Sequence, residues 1–158
     1  MVVGAPRTFE KKFKFTIEID NVAHAGFNKC SELSVEIDKV EYREGGSPIP
    51  DKSPGLVNYT DITLERGAVS EDSDLWDWFE AAYRASTNTG EETPAYKRNM
   101  DIVVRDRSNR VKKRWRINGA WITKFVAGDW DNSASENVME MVTITYDTFE
   151  RLGPAQAA

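Results

Sequence analysis

Val40-Glu41-Tyr42-Arg43-Glu44-Gly45-Gly46-Ser47-Pro48-Ile49-Pro50-Asp51-Lys52-Ser53-Pro54-Gly55-Leu56-Val57-Asn58-Tyr59 is the segment on which the fold turns. Ahead of it, Leu33, Val35 and Ile37 alternate with polar residues, and the apolar positions then change parity to Val40 and Tyr42. Such a shift predicts a bulge near Asp38 and Lys39. Gly45, Gly46, Pro48, Pro50, Pro54 and Gly55 then crowd together, a composition hostile to helix and ladder alike, so residues 44–55 read as a long loop or irregular extension. Loops of this length often carry function. From Leu56 to Arg66 alternation resumes, with Ile62 and Leu64 set against Thr63 and Glu65, which reads as a single strand ended by Gly67.

On either side of this segment the period of two recurs. Phe13, Phe15, Ile17 and Ile19 alternate with Lys14, Thr16, Glu18 and Asp20, the pattern of a half-buried strand. Residues 21–29 read as a turn region containing Gly26. Met100, Ile102 and Val104 mark another strand, and Asp106-Arg107-Ser108-Asn109 a hairpin turn. The returning strand places Val111, Trp115 and Ile117 on one face and Arg110, Lys112, Arg114 and Arg116 on the other. Residues 121–125 continue the β pattern, 128–135 form a loop, and Val142, Ile144 and Tyr146 mark the last strand.

One helix interrupts the strands. Ser70, Asp72, Ser73 and Asp74 supply N-cap candidates and negative charge, and Leu75, Trp78, Phe79 and Ala82 recur at helical spacing. Trp76 lies at the margin of that apolar arc, where it can serve as a rim residue of its own core or as a contact with another subunit. A polar linker, 86–95, follows. The expected fold is mainly β: an antiparallel sandwich or barrel with one flanking helix.

At 158 residues the chain fits one domain, 1–158, with a core over about 13–152 and flexible termini. With 21 basic and 26 acidic residues its net charge is −5, which argues against a dedicated nucleic-acid binder. The N-terminal residues do not read as a secretory signal, and no apolar run approaches membrane-spanning length. A single cysteine, Cys30, forms no intramolecular disulfide, which fits synthesis in the cytoplasm.

Catalytic chemistry finds little support in the residues. His24 and Cys30 are single copies outside any ligand-spaced cluster, so no metal is expected. There is no nucleophile elbow, and Gly45-Gly46-Ser47 lacks the Lys of a phosphate loop. Carboxylate pairs such as Glu41/Glu44 and Asp74/Asp77 read as solvated faces or helix caps. The basic run Arg110, Lys112, Arg114, Arg116, extended by Arg105 and Arg107, reads as a solvated sheet face, as an interaction surface, or as a phosphate contact, the last without stacking aromatics on that face. Four unpaired cations are not expected in a packed core.

Val40-Glu41-Tyr42-Arg43-Glu44-Gly45-Gly46, running into Pro54-Gly55-Leu56-Val57-Asn58-Tyr59 and Ile62-Thr63-Leu64-Glu65-Arg66-Gly67, resembles the inner tube proteins of contractile phage tails. The resemblance continues through Leu75-Trp76-Asp77-Trp78, Lys97-Arg98-Asn99, Arg114-Trp115 with Ala120-Trp121, and Thr145-Tyr146 with Phe149-Glu150-Arg151. It implies a structural subunit, with no enzymatic activity and no cofactor, in a tube-protein fold shared with contractile injection systems and the type VI secretion tube. Hexameric rings would stack into a tube inside a sheath and conduct DNA or protein cargo. Implied partners are further copies of itself, the contractile sheath protein, and baseplate, tube-initiator and terminator proteins. The location implied is the virion tail, or an extracellular or cytoplasmic injection particle. The loop 44–55 would serve assembly, and the strand bearing Arg110, Lys112, Arg114 and Arg116 would face the sheath or the lumen. Alternatives are a baseplate or tube-initiator component of the same machine, or a monomeric ligand-binding β-barrel. Six copies of about four strands each, spaced about 4.8 Å and tilted about 40°, close a barrel about 50 Å across, leaving a bore of roughly 40 Å.

Overall fold

A computed structural model describes residues 14–20, 26–68, 73–87 and 96–153. The elements run β1 (Phe15–Ile19), β2 (Lys29–Cys30), β3 (Val35–Tyr42), β4 (Asp51–Tyr59), β5 (Ile62–Gly67), α1 (Asp74–Ser86), β6 (Arg98–Arg105), β7 (Val111–Val126), β8 (Met139–Thr145) and β9 (Thr148–Leu152). The antiparallel order β1-β6-β7-β8-β5-β2 carries β9 as a second partner of β7, while β3 and β4 form a separate two-stranded sheet. The mainly β fold with one helix is as expected. His24, Phe13 and the N-cap candidates Ser70 and Asp72 lie outside the described residues, as do the termini, 1–13 and 154–158.

β7 organises the barrel. Its first half pairs with β6 and, on the other edge, with β9; its second half pairs with β8. The bend between the halves falls at Gly119, whose φ of 67° lies in the left-handed region. A Cβ there would run into the Asp147 carboxylate, so glycine is required twice over. β7 is therefore one continuous strand through Asn118 and Gly119. β9, absent from the expected elements, continues the path of β8 after Tyr146 and Asp147.

The core lies between the two halves of this sheet and under the helix. Ile62, Leu64, Leu75, Trp78, Met100, Ile117, Ile122, Val142 and Ile144 are fully buried, and Ile17 and Ile19 join them as the alternation of β1 requires. Helix α1 packs on β7 through Leu75, Trp78 and Ala82. Asp74 and Asp77 complement the positive end of its dipole and Arg84 the negative end. Trp78 donates its indole N–H to the Tyr96 carbonyl at 2.7 Å and carries the Arg98 guanidinium over its ring.

Two expectations about the segment 40–67 need correction. Residues 51–55 are ladder, not loop: Tyr42 pairs with Asp51, Glu41 with Lys52, Val40 with Ser53 and Lys39 with Pro54. Proline is tolerated here because, among the described residues, β4 has β3 as its only neighbour, and a register shift adjoins Pro54. That shift lies where the parity change placed it, between Ile37 and Lys39, but the extra residue is on the partner strand, so Gly55 and Leu56 together oppose Asp38. The expected single strand over residues 56–66 is also two strands, separated at Thr60 and Asp61, where the chain leaves the hairpin for the barrel.

Candidate assembly surfaces

Every residue of β3 is exposed. The hairpin stands apart from the barrel and shows solvent Val35, Ile37, Val40, Tyr42, Ile49, Leu56 and Val57, with Ile49 76% and Leu56 75% accessible. Val35 pairs with Tyr59 and Ile37 with Val57, while Val40 and Tyr42 fall at the other parity of β3, so the apolar side chains change face partway along the hairpin. A lone two-stranded hairpin is marginal in water, and one apolar on both faces is unsatisfied twice. Its connecting loop is residues 43–50, shorter than the 44–55 expected. There Ser47 N–H donates to Glu44 O, Ser47 Oγ donates to Ile49 O, and Gly46 takes φ 90°.

At its base the hairpin is anchored. Tyr59 makes edge contacts with Tyr146 and Phe149, and Phe149 with Trp115. The Tyr146 hydroxyl donates to Thr60 O at 2.7 Å, Thr60 N–H donates to Ser34 O, and the Ser34 and Thr60 hydroxyls bond each other. Burial, then the charges of Asp61 and Tyr59, push the Tyr146 hydroxyl up from its ordinary 10 to about 12. Beside this anchor lies a cleft of about 390 Å³ lined by Glu32, Ser34, Val35, Glu36, Asn58, Tyr59 and Thr60.

The four basic residues of β7 and its turn divide into two pairs. Arg110 and Lys112 are exposed and lean toward Asp106 at 3.6 and 3.8 Å. Arg114 is buried, but against carboxylates: its Nη1 donates to Asp101 at 2.7 Å and to Glu18 at 2.9 Å. Arg116 adds two bonds to Asp101, at 3.0 and 3.1 Å. Strand register aligns Glu18, Asp101, Arg116 and Glu150 in one row across four strands. Burial opposes the charge of Asp101, but hydrogen bonds from Arg116 and Arg114, and then their charges, hold its carboxyl below the usual range. For Arg114 too, burial works against the charge and the bonds to Glu18 and Asp101 outweigh it. A cleft of about 510 Å³ opens beside this network. Sequence reading missed the network because Asp101 and Arg114 meet only through the register of two strands.

Trp76 is 47% exposed, with ring centroids 5.6 Å from Phe79 and 5.4 Å from Phe125. One side of its ring therefore packs on its own domain. Cys30 is half-buried, and burial pushes its thiol up to about 11. Among the described residues no three His, Cys, Asp or Glu side chains group to hold a metal, and no helix is long and apolar enough to cross a membrane.

Residues 11–150 match the family described as the T4-like virus tail tube protein gp19. The chain belongs to that family. It is thus a structural tube subunit, and the tail tube fold extends to solved structures of low identity. A chain in the cryo-EM structure of the anti-feeding prophage cap, the tube terminating cap, aligns with TM-score 0.78 at 19% identity, covering 96% of each chain. One from the sheath-tube complex of the extracellular contractile injection system PVC, in the extended state, aligns with TM-score 0.75 at 21% identity, covering 91% of each. A type six secretion system protein gives TM-score 0.51 at 7% identity over 88% of this chain and 82% of that one. Among curated proteins, none matches.

Proposed function

We propose that this tail tube subunit forms hexameric rings that stack into a tube within a contractile sheath, as a conduit for DNA or protein. The observation carrying this reading is the β3–β4 hairpin, projected from the barrel with apolar side chains on both faces. Isolated, it leaves seven large apolar side chains in water; between neighbouring copies, both faces are covered.

Edge strands support the same reading. β1, β6, the first half of β7 and β9 form a four-stranded layer whose outer strands, β1 and β9, each have one neighbour among the described residues. Joining β9 of one copy to β1 of the next would remove those edges, and six such layers supply the 24 strands of a bore roughly 40 Å wide. The face carrying Arg114 and Arg116 would then line the lumen, with its charges neutralised by Asp101 and Glu18 rather than left to grip cargo. Trp76 would meet a neighbouring subunit or the sheath, and the loop 43–50 an adjoining ring. The subunit would work without a catalytic centre or cofactor, made in a bacterial cytoplasm and residing in a phage tail or injection particle. Sheath, terminator and baseplate proteins are its expected partners, as the sheath-tube and cap structures are for their own chains.

Negative-stain microscopy of the purified protein tests this. Rings and tubes of one width are expected. Rings that never extend would favour a cap-like or baseplate component, and a monomer at every concentration by light scattering would overturn the reading.

A further inference from the structure

We infer that the turn between β6 and β7 is a basic knob that seats in the acidic cleft at the hairpin base of a second copy, in the next ring. This rests on the ring-stacking reading above. The chain's net charge is −5, yet Arg107, Arg110 and Lys112 stand exposed at this one turn and Lys14 and Arg105 bond its carbonyls, with Asp106 as the carboxylate within it and Glu18 4.0 Å from Arg105. Asp106 lies 3.6 and 3.8 Å from Arg110 and Lys112, and both remain mostly exposed.

The turn is rigid. Asp106 N–H donates to Arg110 O and Asn109 N–H to Asp106 O, each at 3.0 Å, while Arg110 N–H donates to the Asp106 carboxylate at 2.9 Å. Arg105 and Lys14 tie down the carbonyls of Asn109 and Arg107, and Asn109 accepts φ 64° to close the loop. The fixed backbone leaves only the side-chain rotamers of Arg107 and Arg110 to be ordered on docking.

The receptor has the opposite sign. The cleft of about 390 Å³ presents the exposed carboxylates of Glu32 and Glu36, the hydroxyls of Ser34 and Thr60, and Tyr59. Those groups suit a guanidinium, which takes carboxylates in plane and aromatic rings face-on.

Placement makes the contact intermolecular. The knob adjoins Val111 at one end of β7; the cleft adjoins Thr60 and Tyr146, next to Asp147, whose N–H donates to Asn118 O. From Val111 to Asn118 is about 23 Å at about 3.3 Å per residue. Opposite charges this far apart, one at the end of β7 and the other at the base of the separate hairpin, define a head-to-tail contact, which repeats as a stack where its rotation does not close a ring. Barrel strands tilt about 40° from the axis, so this end-to-end contact runs along the tube. Being charged, it fixes register between rings more than it adds affinity.

The test pairs Arg107→Glu/Arg110→Glu with Glu32→Lys/Glu36→Lys, and then combines all four. All positions are exposed, so thermal melts should match the parent. Each double variant is expected to form rings at normal yield but tubes about tenfold shorter in micrographs, and the combination to restore length. Unchanged tubes in either double variant, or a combination no longer than its parts, would overturn the inference. So would loss of heparin binding in the Arg variant with tubes intact, which would make the turn a polyanion surface. Failure of the unmodified protein to form rings would instead refute the ring reading, and this inference with it.

Discussion

The Tyr146 hydroxyl donates a 2.7 Å hydrogen bond to the Thr60 carbonyl, across the point where the exposed hairpin enters the barrel. Tyr146 is buried, and its ring also meets Tyr59 and Phe149. One residue thus fixes the hairpin base to the core and to β9 together.

Tyr146→Phe keeps the ring and removes the bond, so a loss of about 1–2 kcal/mol is expected in urea unfolding, with faster amide exchange over residues 34–60. The raised pKa sets the pH dependence. A group titrating higher in the folded state contributes stability fully present below its ordinary value of 10 and lost as pH rises toward about 12. The parent should therefore lose stability across that window, and Tyr146→Phe should lose less. Equal slopes would show that the buried Tyr146 hydroxyl does not set this pH dependence.

Asp101 satisfies two arginines, one of them buried, and Asp101→Asn leaves the Arg114 charge with Glu18 alone. Removing one partner from a buried ionic group costs about 3–5 kcal/mol, which denaturant titration should show. Because the Asp101 carboxyl is held below its ordinary range, its contribution is present above about pH 4 and disappears as pH falls through the lowered value. Acid destabilisation should be shallower in the Asn variant.

How much of this was legible varies by element. The strand Phe15–Ile19, the helix, the turn 106–109 and the parity change at Asp38 followed from periodicity and turn chemistry, which are local. Pro54 and Gly55 misled because proline forbids a ladder only where the strand needs its N–H, and β4 has a single neighbour among the described residues. The Arg114 network was illegible for another reason: four like charges in sequence reveal nothing about carboxylates that register brings from β1 and β6. The cleft beside Glu32 and Glu36 likewise depends on where Thr60 returns to Ser34.

Trp76 distinguishes folding from assembly. Its contacts with Phe79 and Phe125 imply some loss of fold stability in Trp76→Ala, yet nearly half of the side chain is open. Buried aromatic anchors dominate interfaces, so the variant is expected to lose ring formation at protein concentrations where its thermal melt still shows a folded domain. Parallel loss of both would place Trp76 at the rim of its own core and nowhere else.

The loop 43–50 provides the sharpest separation between a folded subunit and a working tube. The ladder closes at Tyr42 and Asp51, so replacing residues 44–50 with a short Gly-Ser linker spares every strand pair and removes Ile49. Ile49 is 76% exposed and touches no core, so the monomer should keep its stability in urea. Covering one such side chain is worth about 1.5–3 kcal/mol, and six copies acting at one ring junction would contribute about 9–18 kcal/mol before ordering costs. Loss of the loop should then leave rings that do not stack, and Ile49→Ser alone should shorten tubes in the same direction. Normal tubes from the linker variant would show the loop to be a surface connection with no part in stacking.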